Sequence, residues 1–442
     1  MSKNIDLTNG NITKGLWSFA LPLMLGNVFQ QLYNLADTWV VGKFIGDNAL
    51  AAVGSSYTLM TFLTSVIIGL CLGSSSFTSM MYGKKNINML RNGLFSSFVI
   101  IGTLSVFVMV IFYAIVDVII KLLQIPAEIY DDTKKYLVYV FIGFFAVFIY
   151  NYIANTLRAI GNSVFPLIFL SVSVILNIFL DLFFVLILKY GIIGAAVATV
   201  ISQYVSAIGI FIYYIIAYPE YRIKKGDMNF NKNNIKNILS LSGFTCLQQS
   251  VMNFGILMVQ GLVNSFGANV MAAFAVAVKI DTIAYMPVQD FGNAFSVFTA
   301  QNYGAGKNER IKSGIKQAVL SIVVFCLIIS SIVFIFSENL MQVFVDSSSA
   351  EIIKIGTQYL KTEGSFYIGI GILFMLYGYF RAINKPAVSV VLTILSLGTR
   401  VLLAYILSSI PSFGVMGIWI SIPIGWFIAD FAGVLIGKKN GV

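Results

Sequence analysis

The sequence predicts an all-α integral membrane protein of twelve transmembrane helices, arranged as two pseudo-symmetric six-helix bundles. Three observations carry that expectation: a composition too apolar for water, recurring apolar runs about as long as a bilayer is thick, and an internal repeat pairing the two halves of the chain. The 442 residues are 58% hydrophobic and only 10% charged, with a mean hydropathy of +0.88. Water-soluble domains carry about 25% charged residues. A bilayer core of about 30 Å needs roughly 20 apolar helical residues. Such runs fall near 15–41, 52–81, 93–121, 135–157, 164–188, 192–217, 236–263, 270–300, 315–337, 357–380, 387–409 and 414–436. Barrel strands would instead show short segments of alternating polarity.

The repeat fixes how these spans are grouped. Ser75, Phe77, Thr78, Tyr82 and Gly83 recur 221 residues later as Ser296, Phe298, Thr299, Tyr303 and Gly304. At the same offset Gly46, Ala51, Ala52 and Gly93 match Gly267, Ala272, Ala273 and Gly314. Farther on the offset is 223, where Arg158-Ala159-Ile160 matches Arg381-Ala382-Ile383, and Gly191 and Gly194 match Gly414 and Gly417. The expected domains are a first bundle at 1–218, a cytoplasmic linker at 219–236 and a second bundle at 237–442. Six spans per half give the halves the same orientation, related by an axis along the membrane normal.

The loops set the orientation. The formal net charge is +10, from 28 Lys and Arg against 18 Asp and Glu. Nineteen basic residues lie in loops on the side of the termini and seven in the opposite loops, which places both termini in the cytoplasm of a multi-pass protein of the plasma (inner) membrane. No aromatic-interleaved basic patch of the kind nucleic acid requires is present. The polar first fifteen residues and the absence of a small-residue cleavage site read as no removable signal peptide.

Span one carries Asn27, Gln30, Gln31, Asn34, Asp37 and Thr38 at three- and four-residue spacing, one polar helix face. Span five repeats the device with Ser173, Asn177 and Asp181. An ionisable residue at bilayer depth costs roughly 2.5–3.5 kcal/mol on insertion scales, so Asp37 and Asp181 are candidates for ion or proton coupling. Two carboxylate stripes can meet around a cation or share a proton; otherwise they are interhelical hydrogen-bond glue. The chain has no histidine, so proton chemistry falls to carboxylates. In the repeat Asp37 stands opposite Met258, Asp181 opposite Ala404 and Asn177 opposite Arg400, an asymmetry that a coupling site permits and shared scaffolding does not. Span seven offers the uncharged Gln248, Gln249, Asn253 and Gln260, either cavity lining or helix packing. With Gln31, Asn34 and Asp290, the last three of these make the candidate substrate cavity. Lys279 and Asp281, and Arg400 and Asp430, are possible pairs, whereas Asp117 and Glu363 are expected near span ends.

Other chemistries find little support. Cys71, Cys246 and Cys326 lie in apolar runs and read as small hydrophobes. Gly304-Ala305-Gly306-Lys307 lacks the rest of a phosphate loop, and Asp131-Asp132 has no second acidic cluster to make a diphosphate-metal site. No resident cofactor is expected and no enzymatic activity. Partners are small molecules and membrane lipid.

At this point the chain resembles the multidrug and toxic compound extrusion (MATE) carriers. The resemblance rests on Pro22 with Gln-Gln-Leu-Tyr-Asn-Leu-Ala-Asp37 and Gly42, Leu157-Arg158-Ala159-Ile160-Gly161-Asn162, Asn177 with Asp181, Gly194-Ala195-Ala196 with Ala198-Thr199, and Gln301-Asn302-Tyr303-Gly304-Ala305-Gly306. It implies a V-shaped pair of bundles that opens alternately to the two sides and exports amphipathic, often cationic compounds in exchange for H+ or Na+, as a monomer. Within the family the DinF-like branch is indicated. Its coupling residues fall on Asp37, Asn177, Asp181 and Thr199, with Asn155 for an asparagine late in span four, and a sodium ion would sit at Asp37, Asn177 and Asp181. The NorM-like branch has a glutamate in span seven that this chain lacks. The alternatives are a lipid-linked oligosaccharide flippase, which calls for a cationic cavity, and a membrane-embedded transferase, which calls for paired acidic metal motifs or a histidine base.

Overall fold

The computed structural model describes residues 4–439. Fourteen α-helices appear among them, and no strand. They are α1 Ile12–Phe44, α2 Asp47–Gly83, α3 Ile87–Leu122, α4 Ala127–Ile142, α5 Phe144–Ala159, α6 Val164–Leu182, α7 Gly191–Ala217, α8 Lys232–Asn264, α9 Ala268–Gly304, α10 Asn308–Gln342, α11 Ala350–Gly364, α12 Tyr367–Ala382, α13 Pro386–Ser408 and α14 Val415–Lys439. Nine helices of the described residues are long and apolar enough to cross a membrane, and two bent pairs raise the number to eleven. The twelfth span is α1, 33 residues and about 50 Å long, whose polar stripe dilutes its apolar character.

The bent pairs were not expected. Span four is α4 and α5 with a 41° break, and span ten is α11 and α12 with a 53° break. They are the fourth spans of the two halves, so the break belongs to the repeat. At Gly143 the missing side chain lets Gln203 of α7 come against the backbone.

Repeat mates also share backbone geometry. Gly46 and Gly267 precede α2 and α9 with φ of +119° and +97°, values an L side chain rarely adopts. Gly191 pairs with Gly414, Gly161 with Asn384, and Lys85 with Gly306, all at positive φ. Gly93 and Gly314 admit the rings of Phe77 and Phe298, and Gly194 and Gly417 admit the backbones of Phe184 and Leu407. Each partner is the other's counterpart at the same offset.

Packing divides the chain into two compact units, one of Met1–Ile5 and Leu21–Cys246 and the other of Asp6–Ala20 and Leu247–Val442. The first turns of α1 and of α8 thus pack in the unit opposite to the one that chain order suggests. Pro22, inside α1, lies just past the change of unit; it withholds one helix hydrogen bond there. In the second unit, the amide of Asn302 donates to the Leu7 carbonyl (3.0 Å), and Arg310 donates to the carbonyls of Leu7, Asn9 and Gly10. One segment that carries the family resemblance therefore anchors the residues leading into α1.

The stretch 219–236, expected as a cytoplasmic linker, is tied to α3 within the first unit. Arg91 pairs with Asp227 (2.8 Å), Asn92 donates to the carbonyls of Asp227 and Asn229, and Asn234 donates to Asn92 (2.7 Å). The Arg91–Asp227 pair is mostly shielded from solvent, so Arg91→Gln is expected to loosen the segment by about 1–2 kcal/mol. Limited trypsin digestion checks this: cleavage after Lys224 and Lys225 should speed up by about fivefold or more in the variant.

Candidate functional site

In the first unit the stripes of α1 and α6 converge with α7. The small residues Gly194, Ala195, Ala196 and Ala198 give α7 a flat face, and Gly194 abuts the backbone at Phe184. Close approach of this kind is what small residues allow between membrane helices. It brings α6 within hydrogen-bonding reach. Ser173 donates to the Ser202 carbonyl (3.0 Å), and the Asn177 amide reaches the Thr199 hydroxyl at 3.5 Å. From α1 the hydroxyl of Tyr33 donates to the same Thr199 oxygen at 3.2 Å. Immediately after Asp181 the helix widens into a π-turn over Phe183–Ile187, closed by the Leu188 amide on the Phe183 carbonyl at 3.1 Å. Such widened turns frequently mark functional sites.

Asp37 is 7% exposed and Asp181 is fully buried. The carboxylates are near enough for their charges to interact, and both act on Tyr33 and Tyr136. Tyr136 is part of the apolar core that also holds Val40, Val41, Ala195 and Ala196. One oxygen of Asp37, both of Asp181 and the carbonyl oxygen of Asn177 are buried and accept no hydrogen bond. Four unsatisfied acceptors, two of them on one carboxylate, are expensive in a protein interior unless a cation or a proton satisfies them. The donor set fits either.

Of the residues expected at this site, Asp37, Asn177, Asp181 and Thr199 are brought together. The Asn155 amide donates instead to the Asn151 carbonyl of its own helix (2.8 Å). Asn34 reaches the Tyr57 hydroxyl at 3.5 Å, and Gln260 donates to Asn264 at 2.8 Å. Gln31, Asn253 and Asp290 each have an interaction partner, and Asp290 is buried. Tyr136 was not singled out by the sequence, and Tyr33 appeared there only within the span-one motif, with no role given. Tyr33 stands one helical turn before Asp37 on the same stripe, a signal that was there to read.

The second unit contains a cavity of about 90 Å3 lined by residues of α8, α9, α11, α12, α13 and α14, with Asp281, Glu363 and Arg400 in its wall. Gln249, Asn253, Gln260 and Asp290 are not among its lining residues. Glu363 is 1% exposed. The expectation that it lies near a span end fails because span ten begins at Ala350, seven residues earlier than its apolar run suggests. Lys279 is exposed while Asp281 is buried and accepts a hydrogen bond from Tyr367 (2.7 Å), so those two are not partners. Arg400 acts on Asp281 and Glu363. Both oxygens of Asp430 are buried without a hydrogen bond, so the expected Arg400–Asp430 pair does not form.

The family model MatE matches residues 22–183 and 244–406. Among curated proteins, the chain is 29% identical over 400 residues to "Probable multidrug resistance protein YpnP" of Bacillus subtilis, covering 89% of this chain and 88% of that one. It is 27% identical over 418 residues to "Probable multidrug resistance protein NorM" of Thermotoga maritima, covering 92% and 88%. Among solved structures it is similar to an outward-facing conformation of a multidrug resistance MATE family transporter, with a TM-score of 0.93, 25% identity and coverage of 100% and 98%.

Proposed function

The chain belongs to the MatE family, a family of multi-pass membrane transporters and not of enzymes, and from that premise we propose that it is a secondary active multidrug efflux antiporter. It exports amphipathic, often cationic compounds in exchange for H+ or Na+, exposing its sites alternately to the two sides of the plasma membrane, with both termini in the cytoplasm. The observation that carries the coupling reading is the group of unsatisfied acceptors on Asp37, Asn177 and Asp181. Neutralised by a proton or a sodium ion, the group is at ease in the closed interior. Left charged, it favours a conformation that admits water. Binding of ion and drug is then mutually unfavourable, and the coupling acts equally in both directions.

In this reading Thr199 orients Asn177 and Tyr33 around the ion. The assignment to the DinF-like branch is part of the proposal and is supported by the placement of these residues in the first unit; function as a monomer is proposed with it. Gln31, Asn34, Gln249, Asn253, Gln260 and Asp290 are proposed lining of the drug pathway, and Asn155 a more remote contributor to coupling. A phosphate-binding flippase fits less well, because Arg400 stands beside two carboxylates.

Purified protein in liposomes tests the function. With ethidium as the amphipathic cation, either an imposed proton gradient or an imposed sodium gradient should drive uphill flux; flux driven by neither overturns antiport. Thr199→Val removes one hydroxyl and its hydrogen bonds, about 1–1.5 kcal/mol. The concentration of coupling ion needed for half-maximal flux should shift about tenfold in this variant and little in Thr199→Ser.

A further inference from the structure

The end of the first unit where α2 and α7 finish and α3 and α8 begin is strongly basic. Lys84 and Lys85 follow α2, and Lys224, Lys225, Lys232 and Lys236 lie in the 219–236 stretch; all six are exposed. The two acids of that stretch offset them little, because Asp227 is held by Arg91 at 2.8 Å, which leaves Glu220. At the other end of α3 the loop 121–135 sets three lysines against three acids. The excess of positive charge therefore belongs to one end of the unit and not to its loops in general.

Apolar side chains stand among these cations. Met228 and Phe230 are 54% and 58% exposed, although the stretch is pinned to α3 by the Asn92 amide on the carbonyls of Asp227 and Asn229. Large apolar side chains held outward in a fixed segment mark an interaction surface. The Phe230 ring lies 5.5 Å from that of Phe95, centroid to centroid, so it stands against a helix that crosses the membrane. On α8, Lys232, Lys236 and Leu239 follow at four- and three-residue steps and share one face, and Leu239 is exposed as well. Along that face charge gives way to apolar exposure within two turns. The same change of surroundings is met on passing from lipid headgroups to acyl chains.

A free phosphate would leave Met228 and Phe230 in water. A layer of anionic headgroups with acyl chains beneath it answers the lysines and the apolar side chains together. We infer that the 219–236 stretch and the start of α8 form a docking surface for anionic phospholipids. Lys224, Lys225, Lys232 and Lys236 meet the headgroups, and Met228 and Phe230 reach the first acyl carbons. The surface is separate from the carboxylates of the first unit and does not depend on the coupling role proposed for them.

A bimane label on Met228→Cys tests this in full-length protein reconstituted into phosphatidylcholine nanodiscs. Cys71 and Cys326 are buried, and labelled wild type supplies the background from Cys246. Brominated phosphatidylglycerol, added as a minor lipid, should quench the label at least about threefold more than the same fraction of brominated phosphatidylcholine. Lys224→Gln, Lys225→Gln, Lys232→Gln and Lys236→Gln together should bring the two lipids to equal quenching, whereas Arg at the same four positions should keep the preference. Where the Gln variant does not fold, salt at about 0.5 M takes its place on the Met228→Cys protein and should cut the preference by about half or more, since it screens exposed charges. Inorganic phosphate at constant ionic strength should change nothing. The inference is overturned if the two brominated lipids quench equally, if neither quenches, if the preference survives the Gln substitutions or the salt undiminished, or if inorganic phosphate abolishes it, the mark of a site for a soluble anion.

Discussion

Asp37→Asn is expected to abolish ion-driven efflux while the protein remains folded and inserted. The substitution preserves shape and replaces a carboxylate by an amide, so its packing cost is small. It removes the charge whose neutralisation is proposed to tip the carrier between its two faces. Drug flux in liposomes should fall by about 10²-fold or more, equivalent to about 2.7 kcal/mol of lost coupling, with an unchanged elution profile and thermal midpoint. Asp37→Glu is expected to be intermediate, since it keeps the charge but moves it by a methylene in a packed site. Undiminished flux in the Asn variant removes Asp37 from the mechanism.

Asp181→Asn carries the second large effect. Asp181 is the more deeply buried of the two carboxylates, both its oxygens lack a donor, and its charge interacts with that of Asp37. Residues that share one ion cannot contribute independently, so the double variant should be little worse than the more impaired single one. Flux in Asp181→Asn should drop by at least about tenfold, and the interaction energy in the double-mutant cycle should exceed roughly 1 kcal/mol. Additive losses would show that the two carboxylates work at separate sites.

How much of this was legible in the sequence depended on the kind of signal. The spans could be read because a bilayer enforces long apolar runs, and the repeat because Gly46, Gly93, Gly194 and their mates occupy positions where a larger side chain collides or strains. The breaks in spans four and ten were hidden, since neither contains a proline and Gly143 lies in an otherwise apolar run. The unit in which Asp6–Ala20 packs was equally unreadable. Periodicity tells which face of a helix is buried, not against which neighbour.

The site followed the same rule. Asp37 and Asp181 stood out because charge at membrane depth is rare, and the four-residue spacing of Ser173, Asn177 and Asp181 foretold the face of α6 that meets α7. Tyr33 entered only as part of the span-one motif, without a role, and Tyr136 went unnoticed among 22 tyrosines. Glu363 was misplaced by an error of seven residues in one helix start, enough to turn a buried carboxylate into an expected interfacial one.

The most direct test of the central claim is ion release on substrate binding by the purified protein. Adding ethidium to the wild type in weakly buffered solution with a pH dye should release protons, or in a parallel experiment displace 22Na+. The Asp37→Asn, Asp181→Asn double variant should bind the dye and release neither ion. Ion release of full amplitude from the double variant would contradict the account, since the coupling ion would then be held elsewhere.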